Sequence, residues 1–245
     1  MAHSDELSAI SAKSIRALDA SHDYFTFTKR VWRLLQDDIS GGRKFRLQNR
    51  RTGTKINEQT FMDVSRMYTK SYLVSSSFQH FVSLFEDFFF DFLRIWLTAY
   101  LGSLSRKQLE FSTVLKSPDR SAIVALVVDR ESNELKYERG YDWFAYLNRL
   151  AKLDCPTSEE IGQVAEMKAA RDLLVHNRGI VNATYIDKAG KFARWKLNEQ
   201  LELDEEYHRV CWIALKKIIG DLALSLRIDG GDAAAPVDDV GPLAG

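Results

Sequence analysis

An aromatic helical pattern between residues 58 and 104 constrains the fold more than any other part of this sequence. Its apolar residues recur at spacings of three or four, which is the periodicity of one face of an α-helix. The stripe comprises Phe78, Phe81, Phe85, Phe88, Phe92, Leu93 and Trp96. The pattern predicts either one very long helix or two helices that meet near residues 75–77.

The apolar surface of this stretch is wider than one stripe, because Phe89 and Phe90 extend it around the helix. A helix that is apolar on more than one face is buried in the centre of its own fold or against another copy of the chain. The aromatic surface is therefore a candidate dimer interface as well as a candidate core.

Helical periodicity also dominates the rest of the chain. The predicted helices cover residues 4–20, 22–39, 105–116, 139–153, 157–178 and 204–227. The β-branched run 122–129 is compatible with a short strand or with a buried helix. Residues 180–203 are predicted to be irregular or hairpin-like, with a turn at 187–190. We expect an all-α fold, an elaborated antiparallel helical bundle.

The expected organisation has four parts. Residues 1–40 form the N-terminal helices, and residues 41–57 form a basic loop. Residues 58–228 form the main helical domain, and residues 229–245 form a disordered tail because they offer little to pack.

The segment GGRKFRLQNRRTGTK, residues 41–55, carries six basic residues and no acidic one. Basic side chains interleaved with an aromatic residue, here Phe45, are typical of contact with single-stranded RNA. Long charged loops are also often mobile connectors, and the sequence leaves both interpretations open. The candidate RNA-binding residues are Arg43, Lys44, Arg46, Arg50 and Arg51, together with Arg178 near the end of a later helix.

Composition and residue spacing argue against several classes of protein. The chain has 34 basic and 34 acidic residues, which argues against non-specific coating of nucleic acid. Two cysteines are too few for a disulfide framework, and neither cysteine nor histidine spacing suggests a metal site. No apolar run is long enough to span a membrane, and the first residues do not resemble an export signal. We expect a cytoplasmic protein with no metal, no cofactor and no membrane partner.

The stretch RDLLVHNRG, residues 171–179, combines a cation, an acid and a histidine at a predicted helix end. Asp172 and His176 are four residues apart and share a face, so Asp172 can accept a hydrogen bond from one imidazole nitrogen and orient the ring. Two simpler interpretations stay open. Arg171 and His176 can merely close the helix, where its dipole favours cations, and Asp172 can be an exposed helix-pair partner.

These residue types are those that RNA cleavage by the 2′-hydroxyl requires. The reaction needs a base, an acid and a cation at the phosphate. Histidine supplies the first two near neutral pH, and arginine binds phosphate through its planar fork. Because one copy of the motif contains one histidine and one arginine, two facing copies supply every role without a metal, which favours a homodimer.

The motif Arg171-Asp172-Leu173-Leu174-Val175-His176 resembles the R-x4–6-H signature of the HEPN superfamily, including its polar residue after the arginine. The continuation HNRGIVNATYI is similar to members from bacterial defence and toxin systems. FVSLFEDFFFDFL resembles their long aromatic helix, which often carries an acid where Glu86 stands. The resemblance covers roughly residues 58–227.

The resemblance implies a metal-independent endoribonuclease that acts as a homodimer, a toxin or antiviral effector whose products end in cyclic phosphates. It implies Arg171 and His176 as catalytic residues at a shared cleft, with Asp172, Asn177 and Glu86 in support. RNA and an antitoxin or other regulatory protein are the expected partners. The alternative is a non-catalytic helical module that binds RNA or a protein. From the sequence alone, a solvent-facing position is the favoured interpretation for Glu86.

Overall fold

The computed structural model describes residues 2–44, 47–104, 108–151 and 153–228, so the expected disordered tail lies outside the described residues. The α-helices are Ala2–Ser40 (α1), Glu58–Met67 (α2), Leu73–Ala99 (α3), Phe111–Lys116 (α4), Arg120–Lys136 (α5), Gly140–Ala151 (α6), Ser158–His176 (α7), Ala183–Ala189 (α8) and Glu205–Ile228 (α9). Shorter elements are a π-helical turn at Tyr68–Tyr72, 3-10 turns at Leu101–Leu104 and Gly190–Phe192, and two strands, Leu47–Gln48 (β1) and Lys55–Ile56 (β2). The predicted all-α helical bundle is confirmed.

The N-terminal region is one long helix, and the prediction of two helices over 4–20 and 22–39 is wrong. Residues 20–22 contain neither glycine nor proline, and the buried face continues across them from Leu18 to Phe25. This face packs on α3 and α9. Ser21 lies on it and its Oγ is 3.1 Å from Nδ1 of His80. Tertiary packing therefore stabilises the helix across the polar residues near 20–22.

The long central helical stretch is continuous from α2 to α3, with helical backbone angles at Tyr68 and Tyr72 on either side of the π turn. The interruption thus falls at 68–72 and not at 75–77. Within α3, Ser77 donates its hydroxyl proton to the carbonyl of Leu73 at 2.7 Å. Because this side chain bonds to the preceding turn of its own helix, it does not break it.

The aromatic surface of α3 is buried in the core of its own chain. Phe78, Phe81, Phe89 and Phe92 have no exposed surface, and Phe90 is 3% exposed. Helices α1, α5, α7 and α9 pack around α3. The expectation that this surface forms a dimer interface is therefore wrong.

Two other stretches are helical where the sequence left room for strands. Residues 122–129 lie inside α5, whose first turn is capped by Asp119 through a 2.8 Å bond from the amide of Ala122. In 180–203 the predicted turn is replaced by α8, capped by Asn182. The flanking segments do pair like a hairpin, with the amide of Leu201 donating to the carbonyl of Gly179 at 2.7 Å.

The basic segment 41–57 is not a plain loop but contains a short antiparallel hairpin of β1 and β2. Its turn is closed by Asn49, whose Oδ1 accepts hydrogen bonds from the amides of Arg51 and Thr52. Gly53 has a φ of +70°, which favours glycine at that point of the turn. The hairpin joins α1 to α2, which lie side by side and are tied where Gln36 donates to Ser65 Oγ at 2.7 Å.

Candidate active site at the end of α7

Local chemistry sets both ends of α7. Thr157 caps its N-terminus and forms a reciprocal capping box with Glu160. The helix ends at His176, and the amide of Gly179 turns back to the carbonyl of Leu173 at 2.9 Å. Gly179 has a φ of +75°, the left-handed conformation that closes many helices. The predicted helix and its glycine stop are confirmed.

Arg171 contacts Glu86 of α3 in an ion pair, and this pair is the centre of the candidate site. The two side chains are 19% and 21% exposed. The favoured expectation that Glu86 faces solvent is wrong, because the bundle brings α3 against α7 at this level. Arg171 also lies 3.4 Å from Asp172, and its Nε is buried without a hydrogen-bond partner in the described part of the chain.

Burial acts against the charges of this cluster. It raises the pKa of Glu86 above its ordinary value, although Arg171 and Lys168 nearby favour the ionised carboxylate. Burial likewise lowers the pKa of Lys168, whose ammonium lies 5.0 Å from the ring centre of Trp143. The site is thus a half-buried group of charges, and the attraction between them offsets only part of the cost of their burial.

Asp172 does not orient His176 within the single chain. Its carboxylate lies 3.2 Å from the ammonium of Lys188 and 3.4 Å from the guanidinium of Arg171. Lys188 reaches it from α8, a helix that the sequence did not predict. Across the residues that the structure describes, His176 forms no hydrogen bond and no ion pair.

His176 and Arg171 point in different directions. Five residues on an ideal helix correspond to a rotation of about 140°, so Arg171 faces α3 while His176 is exposed. The next two residues build the turn: Asn177 donates its side-chain amide to the carbonyl of Ile180, and the carbonyl of Arg178 accepts from Gln200 at 3.1 Å. The end of α7 therefore presents one unpaired imidazole to solvent.

The basic hairpin is distant from this site along the same helical rod. From Glu86 to Glu58 the rod spans 28 residues, 86 minus 58, or about 42 Å at the rise of an α-helix. Its candidate RNA-binding residues Lys44, Arg50 and Arg51 are exposed, and Arg43 is exposed and paired with Asp38 at 2.7 Å. Phe45 and Arg46 lie outside the described residues. Among the basic candidates that the structure describes, only Arg178 adjoins the site.

Sequence reasoning missed Lys168 and Lys188. Lys168 precedes Arg171 by three residues and so shares its helix face, a signal that was available from spacing alone. Lys188 had no such signal, because its approach to Asp172 depends on the fold of 180–203. Tyr185 of α8 is 1% exposed and donates its hydroxyl proton to Glu166.

The described residues contain neither a group of side chains that could hold a metal ion nor a helix that could span a membrane. The His, Cys, Asp and Glu side chains there form no group of three or more able to hold a metal ion. None of the described helices is both long and apolar enough to cross a bilayer. In comparisons with known proteins, the chain matches no family model, no curated protein and no solved structure.

Proposed function

We propose that this protein is a metal-independent endoribonuclease of the HEPN type that acts as a homodimer. The observation that carries the proposal is the half-buried Arg171–Glu86 pair between α7 and α3, five residues before an exposed and unpaired His176. The resemblance implies Arg171 at a shared cleft and an acid on the long aromatic helix where Glu86 stands.

In the proposed reaction, the 2′-oxygen of the RNA attacks the adjacent phosphorus while an imidazole takes the hydroxyl proton. The bond from phosphorus to the 5′-oxygen breaks, and a second imidazole donates a proton to that oxygen. The products are a 2′,3′-cyclic phosphate and a 5′-hydroxyl. Because each chain supplies one His176, two chains with facing α7 ends provide the base and the acid.

Arg171 stabilises the charge that develops on the phosphate oxygens. The cluster holds three cations, Lys168, Arg171 and Lys188, against two carboxylates, Glu86 and Asp172. One positive charge is therefore in excess. An incoming phosphodiester competes with Glu86 for the guanidinium, and the raised pKa of Glu86 lowers the free energy needed to give up that ion pair.

The test is cleavage of RNA by the purified full chain in the presence of a chelator. We expect fragments with cyclic phosphate ends from the wild type, and a loss of at least 100-fold, on the order of one acid–base or charge contribution, in Arg171→Ala and in His176→Ala. Exposed residues of the same types serve as matched controls, Arg209→Ala and His3→Ala, and should cleave at the wild-type rate. Full activity in either site variant would exclude the assigned roles.

The same variants address the proposed role as a toxin or antiviral effector. Expression of the wild type is expected to inhibit growth, and Arg171→Ala is expected to relieve the inhibition at equal protein level. A co-expressed regulatory partner such as an antitoxin is expected to restore growth of cells that express the wild-type protein. Inhibition that persists undiminished in the variant would separate toxicity from the proposed chemistry.

The second candidate is a non-catalytic helical module that binds RNA, and the exposed basic hairpin favours it. Arg50 and Arg51 are exposed and form no ion pair in the described ranges. We expect salt-sensitive binding of single-stranded RNA that weakens in Arg50→Ala with Arg51→Ala. Binding lost in this variant, with no cyclic phosphate products from the wild type, would favour the binding module over the enzyme.

A further inference from the structure

Helix α1 exposes a row of large apolar side chains on the face turned away from the bundle. Tyr24 is 61% exposed, Phe27 64%, Val31 55% and Leu34 58%. The opposite face of the same helix is buried, with Phe25 only 2% exposed. Contiguous apolar patches of this kind on a protein surface mark contact sites.

The exposed row has the spacing of a coiled-coil seam. Its members are separated by three, four and three residues, which are the a and d positions of a heptad repeat. The same repeat continues towards the N-terminus through Ala20 and Ala17. We call these six residues, Ala17, Ala20, Tyr24, Phe27, Val31 and Leu34, the α1 seam. The side chains of its N-terminal third are small, and those of the remainder are large.

The small end of the seam borders a groove between α1 and α3. The groove has a volume of about 400 Å³ and is lined by Ala17, Ala20, Ser21, Tyr24, His80 and Leu84. The large end presents Val31 and Leu34 as protruding side chains. One chain thus offers both a recess and the apolar groups that fit a recess.

Charged residues flank the seam at positions where a second helix would meet them. Arg16, Asp23, Arg30 and Asp37 occupy successive g positions of the heptad and are exposed. None of the four forms an ion pair in the part of the chain that the structure describes. Their signs alternate along the helix, positive, negative, positive and negative.

We propose that the α1 seam binds the α1 seam of a second copy of this chain in an antiparallel, two-fold pair. In the proposed register, Tyr24 packs against Phe27 of the second copy. Val31 and Leu34 of each copy then fill the groove beside Ala20 and Ala17 of the other. Large side chains oppose small ones at both ends of the contact, as close packing requires.

The same register pairs opposite charges. Asp23 meets Arg30 of the second copy, and Arg16 meets Asp37, each twice by symmetry. A shift by one heptad towards the large ends would place Arg30 against Arg30 and Asp23 against Asp37. A parallel arrangement would stack alanine on alanine and leave the groove unfilled. Packing and charge, which are independent, thus select the same antiparallel register.

This pairing does not depend on the proposed ribonuclease activity. The α1 seam contains no residue of α7 and no member of the Arg171–Glu86 cluster, so the two contacts use different residues. Where the α7 ends also pair, the chain has two different two-fold contacts, and the closed assembly that contains both is a tetramer. Loss of the α1 contact would then halve the mass and leave the other contact intact.

The first test is the mass of the full chain in solution, measured by light scattering. We expect at least twice the 28.1 kDa of one chain, and half the wild-type mass for Phe27→Glu or Val31→Glu. The helical circular dichroism should be unchanged, because both positions face solvent within one chain. Tyr137, 92% exposed on a different helix end, provides the control Tyr137→Glu, which should keep the wild-type mass.

The second test examines the register through charge reversal. Asp23→Arg alone and Arg30→Asp alone should each weaken association at least tenfold in dissociation constant, because each places like charges together. The double variant should recover wild-type affinity and salt dependence. A monomeric wild type, an unchanged mass in Phe27→Glu, or a double variant weaker than both single ones would overturn the proposal.

Discussion

Acidification is expected to destabilise this protein through His208, a buried residue of α9. Its ring lies 4.0 Å from that of Phe25 and 4.5 Å from that of Phe81, centre to centre. Its Nε2 is 2.8 Å from the hydroxyl of Ser77, which donates its single proton to the carbonyl of Leu73. With the Ser77 proton on a carbonyl of its own helix, we assign the hydrogen of the neutral ring to Nε2 of His208, and Nδ1 is buried without a partner among the described residues.

A proton added to Nδ1 would have no acceptor and would bring charge into an apolar site. Burial, together with the nearby His22 and Lys29, accordingly lowers the pKa of His208 from 6.5 to about 3. Because the pKa in the folded state lies below that of the unfolded chain, the stability contribution is fully present above pH 6.5. It is lost progressively as the pH falls towards 3. At about pH 5, which is ~1.5 units below the unfolded pKa, the loss is about 2 kcal/mol.

The measurement is the free energy of unfolding from denaturant titrations at about pH 7.5 and about pH 5. We expect the contribution of His208 to fall by about 2 kcal/mol between them, and the comparison with a His208 variant separates it from His22, whose pKa is lowered, and from Glu86 and Glu166, whose pKa is raised. His208→Gln, whose amide can still donate to Ser77, should be less stable overall but lose about 2 kcal/mol less on acidification. His3→Gln, at an exposed position, should behave like the wild type. An equal pH dependence in His208→Gln and wild type would refute the reasoning.

Two further predictions concern contacts that tie α7 to its neighbours. Glu166 is 2% exposed and accepts hydrogen bonds from Tyr185 at 2.8 Å and Tyr207 at 2.7 Å. Glu166→Ala should therefore lower the free energy of unfolding by roughly 3 kcal/mol, and Glu166→Gln by clearly less, in denaturant titrations; equal losses would contradict the role of the two hydrogen bonds. A methyl group added at Gly162 would overlap the ring of Phe192, so Gly162→Ala should cost about 1–3 kcal/mol. Phe192→Leu combined with it should recover part of that loss in thermal unfolding, and additive losses would show that the ring is not the obstacle.

Helix ends were predictable from the sequence where the signal is local. Thr157 and Glu160 cap α7, Asp204 accepts from the amide of Tyr207 at the start of α9, and Gly179 stops α7. Each of these signals acts over three or four residues, so it is complete within a short window of sequence.

The continuity of the N-terminal helix across residues 20–22 was not predictable in this way. Residues 20–22 contain no strong helix former on the buried face, and the sequence suggested two helices. The structure forms one, because the face of α1 that carries Leu18 and Phe25 is buried and α1 packs on α3 and α9. Long-range packing overrides weak local propensity in such stretches.

In the candidate site, too, local features were predictable from the sequence and long-range contacts were not. The sequence identified Arg171, Asp172 and His176 as neighbours on one helix end. It could not show that Glu86, 85 residues away, pairs with Arg171, or that Lys188 takes the carboxylate of Asp172. Such contacts depend on which helices pack side by side, and spacing along the chain carries no information on that.

The sequence by itself determined that α3 is apolar on more than one face, because that requires only periodicity and composition. It did not determine what covers each apolar surface. The tertiary structure assigns the aromatic residues of α3 to the chain's own core and leaves Tyr24, Phe27, Val31 and Leu34 of α1 exposed. The reason is physical: burial is a property of a pair of surfaces, and only the folded chain decides which surfaces meet.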